Sequence, residues 1–344
     1  MLSTLALLIA ALIQPPAQAP PPAPAPAAQP APDLGAIRFG VAEAPKKAAG
    51  AIRLATYNAE NLYDNKDDPA LTGQYEDMNS VKPESQLKGL AAAIKRLDAD
   101  VLCLEEIESE QVLLWFRDTY LKDLGYTFAR SIDAGDPRGI EQAVLSRFPI
   151  TECRNWPGLA LKGVHPDRVD EPEGTPIKFH RSPLEVVVRV PESATKGKPY
   201  DLTLLVVHQK SGRASGYWRE AEAEKTVELV GTIEKEHPGA NIAVLGDFNA
   251  APNDAPFKVF TGGGLIDPFA IGGKEPGPTH ESGRAIDHLL VNANLKAELV
   301  PTSWFVLGVP ARPAGVDWRT HPAPDGYASD HYPVAVDLVP VEAK

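Results

Sequence analysis

Eight short β-rich runs alternate with polar turns along most of the chain, and this alternation is the strongest constraint on its fold. Each run is rich in aliphatic residues and is bounded by turn-forming residues, which is typical of strands. The predicted strands are Ile52–Tyr57, Val101–Leu104, Ala143–Leu145, Leu184–Val190, Leu202–Val207, Ile242–Leu245, Ile286–Val291 and Val334–Leu338. Several are apolar on both faces, so we expect them to be buried.

Three longer segments between these runs have the apolar spacing of helices. In Glu84–Asp98 the apolar residues fall on one helical stripe; Glu110–Leu124 precedes Gly125, and Trp218–His237 precedes Pro238. Strands with helices over their outer faces predict an α+β layered sandwich. We find no internal repeat and no sign of a second folded domain.

The composition fits one large globular domain with a local site for an anion. The chain has 344 residues, of which 43% are hydrophobic and 23% charged, and its formal net charge is −12. Proteins that grip duplex nucleic acid usually have a basic face. The acidic balance therefore argues against a stoichiometric nucleic-acid binder, but it does not exclude an enzyme that holds its anionic substrate through a metal.

The N-terminus has the character of an export signal followed by a tether. Leu2–Ile13 is apolar but too short to span a bilayer, and Ala17-Gln18-Ala19 offers a cleavage site. We assign residues 1–19 to a signal peptide, 20–36 to a Pro/Ala-rich linker and 37–344 to the folded domain. No Lys or Arg precedes the apolar run, so an uncleaved, weakly anchored N-terminus stays open. We predict a secreted monomer with no transmembrane segment and no stable protein partner.

The two cysteines, Cys103 and Cys153, are too few for a disulfide framework. Cys103 lies inside an apolar run, which favours a buried thiol. A bridge between the two stays open in an oxidising compartment, because sequence does not show the geometry.

Acid, amide and imidazole residues recur where the predicted strands end. They are Asn58, Glu105, Glu106, His208, Asp247, Asn249, Asp287, His288, Asp330 and His331. A site assembled from several strand ends is rigidly held. Several carboxylates in one cleft raise one another's pKa unless a cation compensates, and a hard ion such as Mg²⁺ prefers oxygen ligands. Such a site suits hydrolysis of phosphate esters.

Six of these segments resemble motifs of the endonuclease/exonuclease/phosphatase superfamily, which includes pancreatic-type deoxyribonucleases, abasic-site endonucleases, inositol phosphate 5-phosphatases and bacterial sphingomyelinases. The matches, in the family's order, are Thr56-Tyr57-Asn58, Leu104-Glu105-Glu106, His208-Gln209-Lys210-Ser211, Gly246-Asp247-Phe248-Asn249, Ile286-Asp287-His288 and Ser329-Asp330-His331. The resemblance implies a four-layer α/β/β/α sandwich of two packed mixed sheets flanked by helices.

The resemblance also implies a metal centre. Glu106 would be the main ligand, with Asn58 beside it, and Asp330 would complete the metal shell. Mg²⁺ is the expected ion, with Mn²⁺ or Ca²⁺ as alternatives.

Five further residues would carry the chemistry by the same resemblance. Asp247 would orient or deprotonate the attacking water, and Asn249 would hold the phosphate. His331, held by Asp287, would stabilise the pentacovalent phosphate or transfer a proton. His208 would contact the scissile phosphate. The resemblance does not decide which group is the base.

The chain departs from the family pattern at two positions. Glu105 stands where the family usually has Gln, and we expect it to be a solvated charge or an additional acid near the metal. Gln209 stands where Leu is more common.

Several basic residues near predicted loops could contact a substrate; they are Arg138, Arg147, Arg181, Lys210, Arg213 and Arg219. We predict Arg181, Lys210 and Arg219 as substrate-binding residues, while plain surface charge stays open for each. The segment from Gly158 to His180 would either rim the cleft or form a disordered insertion.

The favoured function is metal-assisted, in-line hydrolysis of phosphodiester bonds in DNA or RNA. A phosphomonoesterase or a lipid phosphodiesterase is the first alternative, although we find no exposed apolar run of the kind a sphingomyelinase would need. A catalytically inactive binding module on the same fold is the second alternative.

Overall fold

Two β-sheets packed face to face form the centre of the protein. The computed structural model describes residues 37–66, 81–166, 172–192, 195, 200–273, 277–317 and 320–340. The predicted signal peptide and linker, residues 1–36, lie outside the described residues, so both stay predictions. None of the helices in these ranges is long and apolar enough to cross a membrane.

The described part contains thirteen strands and six α-helices. The strands are β1 (Ile52–Leu62), β2 (Val101–Ile107), β3 (Phe128–Ser131), β4 (Glu141–Ser146), β5 (Ile150–Arg154), β6 (Ala160–Val164), β7 (Pro176–Lys178), β8 (Leu184–Val190), β9 (Tyr200–His208), β10 (Asn241–Asp247), β11 (Asp287–Val291), β12 (Phe305–Val306) and β13 (Val334–Leu338). The helices are α1 (Glu84–Leu97), α2 (Glu110–Tyr120), α3 (Gly216–Glu236), α4 (Ala255–Gly262), α5 (Pro268–Ile271) and α6 (Ala293–Lys296).

Both large sheets are mixed, and each contains one parallel pair of strands. The first sheet has the order β12-β13-β1-β2-β4-β3, and the second has the order β11-β10-β9-β8-β5. β1 runs parallel to β2, and β9 runs parallel to β10. The carboxyl ends of each parallel pair therefore lie at one edge of their sheet.

The side chains of β10 show why the two sheets and the helices form separate layers. Ala243 and Leu245 join the core between the sheets, while Ile242 and Val244 join a second core with residues of α3 and α4. This alternation follows from the two-residue period of a strand. Residues of α1 and α2 pack with the first sheet in the same way. The structure confirms the four-layer sandwich of two mixed sheets flanked by helices.

The sequence prediction missed the short and polar elements. β5 lies at a sheet edge and has only half-buried and exposed residues, and β3 and β12 are four and two residues long. Such strands carry too few apolar residues to show a period. The second helix ends at Tyr120 rather than Leu124. Cys103 is buried, Cys153 is half-buried, and both are free thiols, so the bridge that the sequence left open is not formed.

The segment from Gly158 to His180 forms a hairpin, β6–β7, in its described part. Leu161, Ile177 and Phe179 pack against Trp218 of α3 in a small separate core. The indole N–H of Trp218 donates to the carbonyl of Lys178 at 2.7 Å. The described residues of this segment are therefore packed on α3, which argues against a disordered insertion there.

A buried ion pair joins the two strands at the centre of the first sheet. Arg53 and Asp337 face each other in register on β1 and β13. The Nε and Nη2 groups of Arg53 donate to the two carboxylate oxygens of Asp337 at 2.7 and 3.1 Å. Their side chains are only 1% and 4% exposed. Each charge is therefore compensated by the other rather than by water.

We predict that Asp337→Ala lowers the free energy of unfolding by about 3–5 kcal/mol, because it leaves the Arg53 charge buried without its partner. Chemical denaturation measures this loss. The matched control is Asp201→Ala, which breaks an equally bidentate pair with Arg189 whose side chains are 45% and 50% exposed; its loss should stay below about 1 kcal/mol. Equal losses in the two variants would contradict the role given to burial.

Glu222 of α3 ties two loops to the helix. The backbone N–H groups of His180 and Lys210 each donate to its carboxyl group at 3.0 Å. Burial raises the pKa of Glu222 to about 7, although the two backbone hydrogen bonds lower it. The folded protein thus holds this proton more tightly than the unfolded chain, so stability falls as the pH rises from about 4.5 through about 7.

We predict that Glu222→Gln removes this pH dependence. The variant loses one hydrogen bond at every pH. Between about pH 4.5 and about pH 7 the wild-type protein should lose stability relative to Glu222→Gln, by at most about 1.4 kcal/mol per pH unit. Denaturation at a series of pH values tests this. Glu224→Gln, which changes a half-exposed neighbour paired with Lys162, should follow the wild-type curve; a constant difference between wild type and Glu222→Gln would refute the assignment.

Candidate active site

Strand register brings the predicted site residues together at one edge of the two sheets. In the first sheet Asn58 of β1 lies opposite Glu105 of β2. In the second sheet Asp247 of β10 lies opposite His208 of β9 on one side and opposite Asp287 of β11 on the other. The recurrence of polar residues at strand ends therefore reflects a real cluster.

The site residues sit where both parallel strands become irregular. The pairing of β1 with β2 shifts between Asn58 and Leu62, and that of β2 with β4 shifts between Leu104 and Ile107. Bulges of this kind re-aim side chains next to active sites. Among the described residues, six that are not glycine have positive φ, and four of them lie here: Glu60 (52°), Asn61 (55°), Glu106 (63°) and Asn249 (48°). Such strained conformations concentrate at functional sites.

His331 is held by Asp287. Its Nδ1 lies 2.9 Å from both carboxylate oxygens of Asp287, and the hydroxyl of Thr279 donates to the same carboxylate at 2.7 Å. Nδ1 therefore carries a proton, and Nε2 faces Asp247 Oδ2 at 3.9 Å. Burial opposes the charge on the ring, but Asp287, supported by Asp330 and Asp247, raises the pKa of His331 well above its usual value. His331 is thus suited to donate a proton from Nε2.

Asp247 is oriented by the two predicted asparagines. Asn58 Nδ2 and Asn249 Nδ2 donate to Oδ2 of Asp247 at 3.3 and 3.1 Å, and the backbone N–H of Asn249 donates to Oδ1 at 2.8 Å. Asn249 Nδ2 also donates to the carbonyl of Gln209 at 3.0 Å. Burial, with a contribution from Asp287, raises the pKa of Asp247 to about 6. Both amide hydrogens of Asn249 are in use, so contact with a phosphate would require one of them to be exchanged.

His208 lies between two acids. Its Nε2 is 3.5 Å from Asp247 Oδ2 and 3.7 Å from Glu106 Oε1. Burial, together with the charges of Arg181 and Arg138, lowers the pKa of His208 well below its usual value. The ring is therefore neutral at physiological pH and can act as a hydrogen-bond donor to a phosphate oxygen.

Glu106 keeps an open side toward the cleft. Oε2 accepts the backbone N–H of Asn61 at 3.0 Å, and Oε1 lies 3.6 Å from Nη2 of Arg138. Its side chain is 13% exposed and that of Arg138 is 31% exposed. Arg138 was noted in the sequence as a basic residue but was not predicted to bind substrate. It lies beside the expected metal ligand.

Asp330 is ionised and oriented by His280. The backbone N–H of Ser282 donates to Nδ1 of His280 at 2.9 Å, which leaves Nε2 to donate to Asp330 Oδ2 at 3.1 Å. Although burial opposes it, this hydrogen bond and the charge of His331 lower the pKa of Asp330 to about 2. His280 therefore positions Asp330.

These groups fit a hard divalent cation. Possible metal-binding atoms of His280, Asp330 and His331 lie within 4.8 Å of one another. Nε2 of His280 already contacts Asp330, and Nδ1 of His331 contacts Asp287, so each ring is positioned by a neighbouring carboxylate. The predicted set of Asn58, Glu106 and Asp330 offers oxygen donors instead, as Mg²⁺, Mn²⁺ and Ca²⁺ prefer.

Residues near these acids that sequence reasoning missed include Glu60, Lys82 and His280. Glu60 has a pKa raised to about 7 by burial and by the charge of Asp330, and the hydroxyl of Tyr327 donates to it at 2.9 Å. Lys82, only 3% exposed, donates from Nζ to the carbonyl of Glu60 at 2.9 Å. Glu60 follows Asn58 by two residues, and this closeness to a motif residue could have indicated a place near the site. Nothing in the sequence around Lys82 distinguishes it from a surface lysine.

Glu105 is fully buried, so the expectation of a solvated charge is wrong. The hydroxyl of Thr56 donates to Oε1 at 2.8 Å, while Oε2 has no partner among the described residues. Burial raises the pKa of Glu105 well above its usual value, and Thr56 offsets only part of that shift. A protonated glutamic acid has one donor and one acceptor, which resembles the glutamine that the family usually has at this position.

The three predicted substrate-binding cations have different environments. Arg181 is 3% exposed; it pairs with Asp136 at 2.5 Å and donates to the carbonyls of His208 and Gln209. This placement favours support of the end of β9 over substrate contact. Lys210 lies over the ring of Trp218 at 5.8 Å. Arg219 lines an open groove next to Asn249.

The comparisons agree with this geometry. The sequence profile of the Endonuclease/Exonuclease/phosphatase family matches residues 55–331. No protein with a curated description matches the chain.

Solved structures share the fold at low sequence identity. The catalytic domain of human Nocturnin, with a bound sulfate anion, is 17% identical, with a TM-score of 0.54 over 85% of this chain and 95% of that one. The mannosyl-6-phosphatase Bt3783 of Bacteroides thetaiotaomicron is 18% identical, with a TM-score of 0.52 over 84% and 99%. Truncated TDP2 of Caenorhabditis elegans is 16% identical, with a TM-score of 0.51 over 84% and 97%. Because the profile spans most of the chain and its motifs meet in one site, this protein belongs to the Endonuclease/Exonuclease/phosphatase family.

Proposed function

We propose that this protein is a metal-dependent phosphodiesterase that hydrolyses the backbone of DNA or RNA. The observation that carries the proposal is the Asp287–His331 pair, whose Nε2 faces Asp247 across 3.9 Å in a cleft of oxygen donors. A proton donor and a proton acceptor held side by side in this way can protonate a leaving oxygen and accept a proton from water.

In the proposed reaction Asp247 orients the attacking water and accepts its proton. The new bond forms between the water oxygen and phosphorus, and the bond from phosphorus to the leaving oxygen breaks. His331 donates its Nε2 proton to that leaving oxygen, and His208 donates a hydrogen bond to a phosphate oxygen. Transfer of the proton from Asp247 to His331 then restores the starting state.

A divalent cation held by Glu106 and Asp330, with Asn58 beside them, would neutralise the phosphate and stabilise negative charge in the transition state. Arg138 lies 3.6 Å from Glu106 and carries positive charge, and Lys82, whose pKa is lowered by burial but raised by Glu60, Asp330 and Glu106, lies close to the same acids. The cleft therefore holds both the acids that bind a cation and the cations that attract an anion.

We predict that Asp287→Asn lowers kcat by about 10²–10⁴-fold and leaves KM nearly unchanged, since Asp287 supports the proton donor without touching substrate. Steady-state kinetics measure both values. Asp325→Asn changes an exposed acid outside the site and should leave both values unchanged, while Thr279→Val should give a smaller loss in kcat. An undiminished kcat in Asp287→Asn would show that the pair has no part in proton transfer.

The substrate class is tested with the full chain on a panel of phosphate esters. Plasmid DNA, RNA, bis(4-nitrophenyl) phosphate, sphingomyelin and mannose 6-phosphate are each incubated with Mg²⁺ or with EDTA. The last is included because a structurally similar protein is named a mannosyl-6-phosphatase. Asp247→Asn is the inactive variant, and Asp201→Ala, which changes an exposed residue of the second sheet, is its matched control.

We expect Mg²⁺-dependent cleavage of the nucleic acids that Asp247→Asn abolishes and Asp201→Ala retains. Hydrolysis confined to sphingomyelin would identify a lipid phosphodiesterase, and hydrolysis confined to mannose 6-phosphate a phosphomonoesterase. Unchanged activity in Asp247→Asn would overturn the assignment of the site. Inactivity of the wild-type protein on every substrate would favour a binding module.

A further inference from the structure

A groove lined by three arginines opens beside the proposed reaction centre. It has a volume of about 540 Å³ and is lined by Arg213, Arg219 and Arg284 together with Asn249 and Asp254. We call it the arginine groove. Asn249 also donates to Asp247 through its side chain and its backbone, at 3.1 and 2.8 Å. Only the side chain of Asn249 would therefore separate a ligand in the groove from Asp247, which orients the attacking water in the proposed reaction.

The positive charge of the groove is only partly compensated. Arg284 lies 3.2 Å from Asp254, in a pair whose side chains are 47% and 43% exposed. Arg213 is exposed and has no acceptor among the described residues. Glu220, at the groove wall, is the one other acid among the residues that line it. Three arginines against two acids leave the groove with a net positive charge.

Arg219 lies in the groove wall and has one donor without a hydrogen-bond partner. It is 8% exposed, and its Nη1 donates to the carbonyls of Lys210 and Gly212 at 2.8 and 2.9 Å. Its buried Nε has no partner among the described residues. Leaving a buried donor without an acceptor is costly. Burial lowers the pKa of Arg219; the charge of Glu222 opposes this shift, and the charge of Arg284 adds to it.

Two helices also begin at the groove. Gly216, the first residue of α3, and Ala255, the first residue of α4, both line it. Neither helix has a side chain hydrogen-bonded as its N-cap. The first-turn N–H groups of a helix favour anions. The helix starts thus add to the field of the arginines.

We propose that the arginine groove binds a second phosphate of the substrate, next to the phosphate that is cleaved. This inference rests on the proposed function. Guanidinium groups bind phosphate oxygens in a fork geometry, and a polynucleotide presents phosphates at regular spacing on both sides of every scissile bond. The groove would select polynucleotides over esters with a single phosphate.

The test compares a short single-stranded oligonucleotide with bis(4-nitrophenyl) phosphate, which has one phosphate only. The variants are Arg213→Ala, Arg284→Ala and the double variant. Arg219 is left intact because it also supports two carbonyls. Arg189→Ala, an exposed arginine of the second sheet paired with Asp201, is the control, and thermal unfolding confirms that each variant is folded.

We expect the double variant to lower kcat/KM for the oligonucleotide at least about tenfold more than for bis(4-nitrophenyl) phosphate, as loss of two phosphate contacts implies. The slope of log kcat/KM against log salt concentration should become shallower by about 0.7 for each arginine removed. Arg189→Ala should change neither quantity. Equal losses on the two substrates, or an unchanged salt slope, would overturn the proposal.

A binding measurement separates this inference from the proposed function. Anisotropy of a fluorescent single-stranded oligonucleotide is followed in EDTA, where no cleavage is expected. Weaker binding in the double variant supports the groove even if the protein hydrolyses no nucleic acid, which would defeat only the proposed function. Hydrolysis of nucleic acid with binding that does not depend on Arg213 and Arg284 defeats the groove and leaves the proposed function standing.

Discussion

Repulsion among buried carboxylates is the constraint on which the organisation of this protein depends. Glu60, Glu105 and Asp247 all have a raised pKa, chiefly through burial and in part through neighbouring acids. Such a cluster is stable only where protons or cations compensate it. Compensation comes from His331, whose pKa is raised, from the buried Lys82 and, in the proposed function, from a divalent cation. The acids that destabilise the fold are therefore the same groups that form the proposed reaction centre.

The two packed sheets hold the buried acids in place against their mutual repulsion. Asn58, Glu105, His208 and Asp247 lie on strands that are paired on both sides, so repulsion cannot push one of these residues away without disturbing the register of its neighbours. The pairing of Asp247 with both His208 and Asp287 in register is the clearest case. The ion pair of Arg53 with Asp337, farther from the cleft, joins two strands of the first sheet without facing the substrate.

The fold class, the predicted strands and the cluster of motif residues were all accessible from the sequence, because strand period and strand-end chemistry are local signals. The irregular backbone at Glu106 was not, since positive φ at a glutamate contradicts its local preference and is imposed by the surrounding sheet. The role of Arg181 was also hidden: its acceptors, the carbonyls of His208 and Gln209, are distant in the chain. Glu105 was misjudged because a charged residue type says nothing about the proton it carries once buried.

The arginine groove and the proposed reaction centre are formed by different structural elements. Its walls come from the starts of α3 and α4 and from the loop before β11, whereas the acids and histidines come from strands and the segments directly joined to them. Asn249 is the residue that the groove and the centre share. Insertions or substitutions in those loops could therefore change which molecules the protein accepts while the bond-breaking apparatus stays as it is. The same chemistry could in this way be redirected to new esters by changes on the surface alone.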